Sequence, residues 1–179
     1  MSLPSSLNEK GLRKIVLADF NNDGNLDIMA SGIGRFLLLS SGDFTSNGAS
    51  TFPTATSLPY QNLGGQKMAA GDFNNDGWAD AIFACYGGVE LLLNKGSAGG
   101  FDLSIVVGSG FWWSVAAGDV NQDGCLDAVV GTVLSPNDNP ANMLLLGDCS
   151  GSFAPDFEAL AMVGAKWWTY DIALADMNA

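Results

Sequence analysis

Three short segments of this chain place acidic and amide side chains at a spacing suited to binding a metal ion. Each is a nine-residue loop with oxygen-bearing side chains at positions 1, 3, 5 and 9 and a glycine at position 6. Carboxylate, amide and carbonyl oxygens are the ligands that Ca²⁺ prefers, and the glycine permits a sharp turn that a Cβ would hinder. The loops run from Asp19 to Asp27, from Asp72 to Asp80 and from Asp119 to Asp127.

The loops predict about three calcium sites with the same set of ligands. Positions 1, 3, 5 and 9 would bind through their side chains, and position 7 would bind through its main-chain carbonyl. Three carboxylates per loop favour Ca²⁺ over Mg²⁺, which keeps more of its water and a stricter octahedral shell. The candidate ligands are Asp19, Asn21, Asp23, Asn25 and Asp27; Asp72, Asn74, Asp76, Trp78 and Asp80; and Asp119, Asn121, Asp123, Cys125 and Asp127.

Two other interpretations of the loops are an EF-hand and a turn without metal. An EF-hand needs a glutamate at position 12 and flanking amphipathic helices, but position 12 holds Ala30, Phe83 and Val130. Clusters of Asp, Asn and Gly do occur in ordinary turns. Three copies that all keep Asp at position 9 favour the metal site. The predicted role of the ion is structural, because the loops offer no acid–base groups beside an open coordination position.

The loops recur about every 50 residues together with the segments around them,. An apolar segment rich in small residues precedes each loop. A second apolar run, a triple leucine and a turn with glycine and phenylalanine follow it. These short segments are bounded by Gly, Asn, Asp, Ser and Pro, which is typical of strands. Four such strands in about 50 residues predict one blade of a β-propeller, and a fourth loop begins at Asp176,.

The repeat resembles the FG-GAP/VCBS repeat of integrin α-subunit-like β-propellers. The resemblance rests on Ala-Ala-Gly-Asp-x-Asn-x-Asp-Gly-x-x-Asp followed by the triple leucine and Gly-x-Phe, and it is best at 69–101 and 116–153. It implies an all-β fold in which each Asp loop joins the first two strands of a four-stranded antiparallel blade and binds calcium. The expected organisation is an N-terminal start at 1–11, blade units at about 12–64, 65–111 and 112–168, and a partial unit at 169–179.

About three and a half blades are fewer than the four or more of a closed propeller. The ring is therefore incomplete within this chain. An open stack exposes apolar blade faces and a strand edge. We expect self-association, or contact with further blades, to complete the ring.

In a propeller the 1–2 and 3–4 connections share one face, and the 2–3 and 4–1 connections share the other. Cys125 and Cys149 then lie on the same side of the third unit, where a disulfide and two free thiols are both open. Cys85, at the end of an apolar run, is expected to be a buried free thiol. On the opposite face the inserted segment 134–140 and the aromatic runs at 111–113 and 167–170 are candidates for ligand contact. The alternative for each tryptophan pair is that one ring packs between blades.

The composition restricts the possible functions. Without histidine, neither a Ser-His-Asp or Cys-His nucleophile system nor a His-ligated zinc site can form within this chain,. The net charge of -12 and the seven scattered Lys and Arg residues argue against nucleic-acid binding,. No apolar run reaches the roughly 18 residues of a membrane span, and no signal peptide is visible.

The sequence therefore predicts a non-catalytic calcium-binding module for adhesion or for recognition of a protein or carbohydrate ligand. The resemblance implies an extracellular, cell-surface or periplasmic location. The alternative is the propeller part of a larger secreted enzyme, active on polysaccharide or lipid, with its catalytic residues outside this chain.

Overall fold

The apolar segments of the sequence pair with their neighbours as antiparallel strands. A computed structural model of the chain describes residues 11–32, 34–42, 55–61, 67–133, 142–156 and 169–175. These residues form an all-β fold with one short 3-10 turn at Gly96–Ala98. Within the same ranges, no helix is long and apolar enough to span a membrane.

The strands form two sheets in which each strand pairs with the next one along the chain. Apart from Leu39 and the segment 171–175, the predicted apolar runs and triple leucines lie in these strands. The first sheet contains β1 (Lys14–Ala18), β2 (Asp27–Ser31), β3 (Arg35–Leu38) and β4 (Ala55–Ser57). The second contains β5 (Lys67–Gly71), β6 (Asp80–Asn94), β7 (Phe101–Gly118), β8 (Asp127–Thr132), β9 (Met143–Gly147) and β10 (Phe153–Asp156).

The two long strands are not straight. The 15 residues of β6 would span about 45 Å if extended, yet the N–H of Asn94 donates to the carboxylate of Asp80 at 2.7 Å. β6 therefore doubles back on itself, and Gly87, with a φ of 111°, lies at the reversal. The first part of β7 pairs with β6 and its last part pairs with β8. The change of partner falls between Phe111, which pairs with Tyr86, and Trp112, which pairs with Thr132. It closely follows Ser109 and Gly110, which both have positive φ.

The first arm of β6 is buried on both of its faces. Successive side chains of a strand point in opposite directions, so Ala81, Phe83 and Cys85 pack in one core with residues of the first sheet. Ile82 and Ala84 pack in a second core with residues of β7, β8 and β9. These five side chains are fully buried. This arm is therefore covered by neighbouring parts of the fold on both of its faces.

A buried ion pair joins the two sheets. Arg35 on β3 and Glu90 on β6 pair in the interior. Arg35 also donates to the Sγ atom of Cys85 at 3.2 Å and lies 3.7 Å from the centre of the Phe83 ring. Burial raises the pKa of the Cys85 thiol to about 11, although the nearby guanidinium lowers it. Cys85 is thus a neutral, buried free thiol, as predicted.

The segment expected to begin a fourth unit is not a strand. The N–H of Thr169 donates to the carbonyl of Thr132 at 2.8 Å, and the Ser114 hydroxyl donates to the carbonyl of Thr169 at 3.0 Å. Residues 169–175 therefore lie beside β7 and β8 without a strand ladder of their own. In the other units the equivalent segment pairs with the apolar run that follows the Asp loop. The start of the fourth loop, at residues 176–179, lies outside the described residues. The inserted segment 134–140, Trp167 and Trp168 also lie outside them.

Candidate functional site

The three Asp loops have the same backbone conformation. They connect β1 to β2, β5 to β6 and β7 to β8. Position 4 is left-handed in each loop, with φ of 53–62° at Asn22, Asn75 and Gln122. The glycines at position 6 have φ of 86–88°, a conformation that costs glycine little and other residues much. The repeated glycine is therefore required by the turn itself.

The side chains of positions 1, 3 and 5 are drawn together around this turn. In the first loop the N–H of Asp23 lies 3.1 Å from the Asp19 carboxylate and 3.2 Å from the side-chain oxygen of Asn21. Gly24 N–H donates to Asp19 at 2.7 Å, and the Asn21 amide donates to Asp23 at 2.9 Å. The hydrogen bond from the Asn21 side chain is the main cause of the lowered pKa of Asp23. The same four bonds recur in the second and third loops.

The aspartates at position 9 are buried at the base of the loops. One carboxylate oxygen of Asp27 accepts the N–H of Phe20 at 2.9 Å, and the other accepts the N–H of Ser40 at 2.7 Å. Asp80 and Asp127 bind the equivalent N–H groups of Phe73 and Asn94 and of Val120 and Gly147. Position 9 thus ties each loop to the end of the third strand of its unit. The sequence pattern marked this residue only as a metal ligand.

Negative charge accumulates within each loop. Burial raises the pKa of Asp80 to about 6, and the charges of Asp76 and Asp72 contribute to the increase. Burial likewise raises the pKa of Asp27. The three ion pairs found among the described residues all lie outside the loops. The loop carboxylates are therefore stabilised by N–H donors rather than by Lys or Arg in this structure.

The donor chemistry of the loops fits a hard divalent cation. Each loop offers three carboxylates, one side-chain amide oxygen and the carbonyl of position 7, which are all oxygen ligands. A carboxylate at position 9 keeps lone pairs after accepting two hydrogen bonds. In the conformation described, no group of three or more His, Cys, Asp or Glu side chains within the described ranges is arranged to hold a metal ion. Positions 1, 3 and 5 are close together, whereas position 9 is bound to main-chain N–H groups at the loop base.

The side chain at position 7 contacts the turn that follows the third strand. A Cβ added to Gly42 would lie 2.3 Å from the side chain of Asn25, and one added to Gly96 would lie 2.6 Å from the indole of Trp78. Gly42 and Gly96 both have positive φ. The side chain at position 7 therefore packs against this turn, in addition to the carbonyl that the position could present to an ion. The loop pattern alone did not reveal this contact.

In the third unit the same contact is covalent. Cys125 at position 7 forms a disulfide with Cys149, and their Cα atoms are 4.9 Å apart. Cys149 has a φ of 61°, close to the values of 69° at Gly42 and 58° at Gly96. Of the two alternatives left open by the sequence, the structure shows the disulfide.

Adjacent loops are connected to one another. The side-chain amide of Asn22 in the first loop donates to the carbonyl of Gly77 in the second at 3.0 Å. The amide of Asn75 in the second loop lies 3.0 Å from the Sγ atom of Cys149, which is bonded to the third loop. The three loops thus form one continuous row at one end of the strands.

Aromatic side chains gather at the opposite end. Tyr86, at the reversal of β6, is six residues from Asp80, or about 20 Å along an extended strand. Its ring centre lies 5.5 Å from that of Phe111 and 6.0 Å from that of Trp113. The ring of Trp113 lies 5.8 Å from that of Tyr170. We name Tyr86, Phe111, Trp113 and Tyr170 the aromatic row.

The two tryptophans of the run 111–113 have different environments. Trp112 is 1% exposed, packs in the core of the second sheet and donates its indole N–H to the carbonyl of Ser109 at 3.1 Å. Trp113 is partly exposed and belongs to the aromatic row. One ring of the pair therefore packs between units, and the other is available at the surface.

Comparison with known protein families identifies the repeat. The model of the FG-GAP-like repeat matches residues 19–83 and 72–130, which together make up more than half of the chain. The chain belongs to the FG-GAP-like repeat family. Both matches begin at the first aspartate of an Asp loop, so the loop is a defining part of this FG-GAP-like chain. No curated protein matches its sequence.

Nine chains of solved structures match this FG-GAP-like protein. One is an Agrocybe aegerita lectin, whose structure concerns specific recognition of non-reducing terminal N-acetylglucosamine. The TM-score is 0.57 at 18% sequence identity, and the match covers 87% of this chain and 40% of the lectin chain. At this identity the likeness shows the fold alone, which is β-propeller-like. The chain spans about two fifths of the length of that lectin.

Proposed function

We propose that this FG-GAP-like chain is a non-catalytic module for ligand recognition, with Ca²⁺ ions that stabilise its Asp loops. The observation that carries the proposal is the division of the structure into two ends. Three repeated acidic loops lie at one end, and exposed aromatic side chains lie at the other. The end with the acidic loops is suited to stabilising the fold, and the end with the aromatic side chains is suited to contacting a partner.

The strands are consistent with three blades of a propeller. The first blade is β1 to β4. The second consists of β5, the two arms of β6 and the first part of β7, and the third consists of the last part of β7 with β8, β9 and β10. Each unit has four antiparallel strands, and an Asp loop joins the first two of them. Further blades or a second copy would complete the ring.

Calcium would be held by the fifteen loop residues named above. The ion would supply positive charge among carboxylates that otherwise repel one another, so binding and folding would be coupled. Asp19, Asn21 and Asp23 already lie together in the first loop. Only the side chain at position 9 would have to move to become the fourth side-chain ligand of the ion. The same applies to the other two loops.

Calcium titration tests the metal assignment. Isothermal titration of the chelator-treated protein is expected to show about three sites, together with a rise in Tm when Ca²⁺ is added. The substitution Asp76→Asn is expected to remove one site, because it removes a carboxylate ligand of the second loop. Asp102→Asn serves as the control, since Asp102 pairs with Lys95 outside the loops. The absence of both heat and a thermal shift would show that the loops are turns without metal.

An oxidising location is part of the proposal. The disulfide between Cys125 and Cys149 supports it, because such bonds persist in extracellular and periplasmic proteins and are rare in the cytosol,. The absence of histidine supports a non-catalytic role. Binding of the labelled chain to cell surfaces is the expected activity, and hydrolysis of polysaccharide or lipid by the isolated chain would overturn this assignment.

A further inference from the structure

The aromatic row is a rigid surface feature built from three separate segments. Tyr86 and Phe111 are paired residues of β6 and β7, so the backbone holds their rings side by side. Trp113 lies two residues further along β7 and contacts both Tyr86 and Tyr170. The segment of Tyr170 is held by the hydrogen bonds of Thr169 to β7 and β8. The rings are therefore positioned before any ligand arrives.

The size of the aromatic row suits a small ligand. Tyr86 is 38% exposed, Phe111 47% and Tyr170 54%. An aromatic side chain has about 150–250 Å² of surface, so the row exposes roughly 300 Å². A stable protein partner covers about 800 Å² on each side. The exposed rings alone therefore cover less than half of such an interface, and they are large enough to contact one or a few sugar rings.

Polar groups border the row. Lys67 and Asp171 form an ion pair at 3.3 Å, and Asp171 follows Tyr170 directly. Lys67 pairs with Ala84 on β6, two residues before Tyr86. The hydrogen bond from Lys67 lowers the pKa of Asp171. The exposed carboxylate of Asp171 is an acceptor,. With the tyrosine hydroxyls, these groups place donors and acceptors next to exposed ring faces.

This combination matches the chemistry of a pyranose sugar. A pyranose ring has an apolar C–H face that can lie on an aromatic ring, and hydroxyl groups at its edge that bind donors and acceptors. The net charge of -12 disfavours acidic saccharides by repulsion. We propose that the aromatic row binds neutral saccharides through stacking, with Lys67 and Asp171 binding their hydroxyl groups. The inference rests on the proposed recognition function and assigns its ligand class and its site.

Titration with neutral oligosaccharides tests the site. The probes are N,N′-diacetylchitobiose, cellotriose and mannotriose, with trigalacturonate as the acidic comparison, and binding is followed by the tryptophan fluorescence of the full chain. At least one neutral probe is expected to bind, more tightly than trigalacturonate. Phe111→Leu and Tyr170→Leu are expected to weaken binding about tenfold, because each removes one exposed ring. Both residues are exposed, so folding should survive, which circular dichroism and Tm will verify.

Matched variants separate stacking from a general loss of apolar surface. Phe111→Tyr and Tyr170→Phe keep the ring and should bind within about twofold of the original chain. Ile105→Ala changes an exposed apolar residue of β7 outside the row and should also leave binding unchanged. If a neutral sugar binds and the ring-removing variants bind it equally well, the site lies elsewhere and the proposal is wrong.

A cell-surface experiment distinguishes failure of this proposal from failure of the proposed function. Binding of the labelled chain to cells is expected to be lost after enzymatic removal of surface glycans. Binding that survives deglycosylation would identify a protein ligand, so the recognition function would stand and the saccharide proposal would fall. Binding neither to cells nor to any of the sugars would contradict both.

Discussion

At the level of single residues, the three units hold the turn after the third strand in place with different chemical groups. The turn after the third strand must stay close to the Asp loop. Ser40 and Asn94 hold it by accepting the N–H of the glycine two residues later, at 3.1 and 3.0 Å. Gly147 stands in this place in the third unit and has no side chain, since a Cβ there would lie 2.2 Å from the Leu126 carbonyl oxygen. The disulfide fixes the third turn instead.

The contact between Trp78 and Gly96 gives a prediction at this scale. Gly96→Ala is expected to lower the free energy of unfolding by about 2–3 kcal/mol, because a Cβ at a φ of 58° is strained and would also displace the indole,. In a Trp78→Ala background the same change should cost about 1 kcal/mol, since only the backbone strain remains. Urea denaturation with chelator present measures both.

A double-mutant cycle of these two positions separates the steric part from the backbone part. Equal costs of Gly96→Ala in the two backgrounds would show that Trp78 does not lie against this turn in solution.

At the scale of strands, the pattern of residue types predicted the strands themselves. It did not predict which individual side chains meet. Short apolar runs between turn residues identified the strands, because burial between neighbouring units requires apolar residues on both faces. The contact of Arg35 with Glu90 was not predicted. The two residues are far apart in the sequence, and they meet only because β3 of the first sheet packs against the second arm of β6. Likewise, one N–H partner of each position-9 aspartate lies at the end of the third strand, and the loop pattern gives no signal of that contact.

The buried pair of Arg35 and Glu90 is expected to matter more than an exposed pair. Glu90→Gln should destabilise the protein by about 3 kcal/mol, because it leaves the Arg35 charge without a carboxylate in the interior,. The matched control is Asp102→Asn, which breaks the exposed pair with Lys95 and should cost less than about 1 kcal/mol. Chemical denaturation of the two variants gives the comparison. Similar small costs for both changes would mean that the guanidinium is hydrated or otherwise compensated in the native protein.

For the whole molecule, the repeat itself shows which apolar surface needs a partner. Ile15 and Leu17 lie four and two residues before the first Asp loop, and they are 55% and 56% exposed. Met68 and Ala70 have the same positions before the second loop, but they pack against the first sheet, and Met68 is only 2% exposed. The face that is covered in the second unit is thus uncovered in the first among the described residues. A surface like the one that the first sheet presents to Met68 and Ala70 would therefore fit against Ile15 and Leu17.

A second copy of the chain can supply such a surface, because its third unit is built from the same repeat. Leu144 on β9 occupies the place that Leu37 has on β3 and is only partly buried. We therefore predict self-association in which the Leu17 face of one copy meets the third unit of another. This head-to-tail contact closes into a ring or extends as a filament, according to the rotation between copies.

Sedimentation equilibrium tests this arrangement. The chain is expected to sediment as an oligomer, and Leu17→Asp should shift it toward the monomer because a carboxylate would be buried in the contact. Ile105→Asp is the control, since it places the same charge on an exposed position of β7. A stable monomer across the measured concentrations would exclude pairing between copies, and the Leu17 face would then require a blade from another chain segment. An oligomer unaffected by Leu17→Asp would place the contact on a different surface.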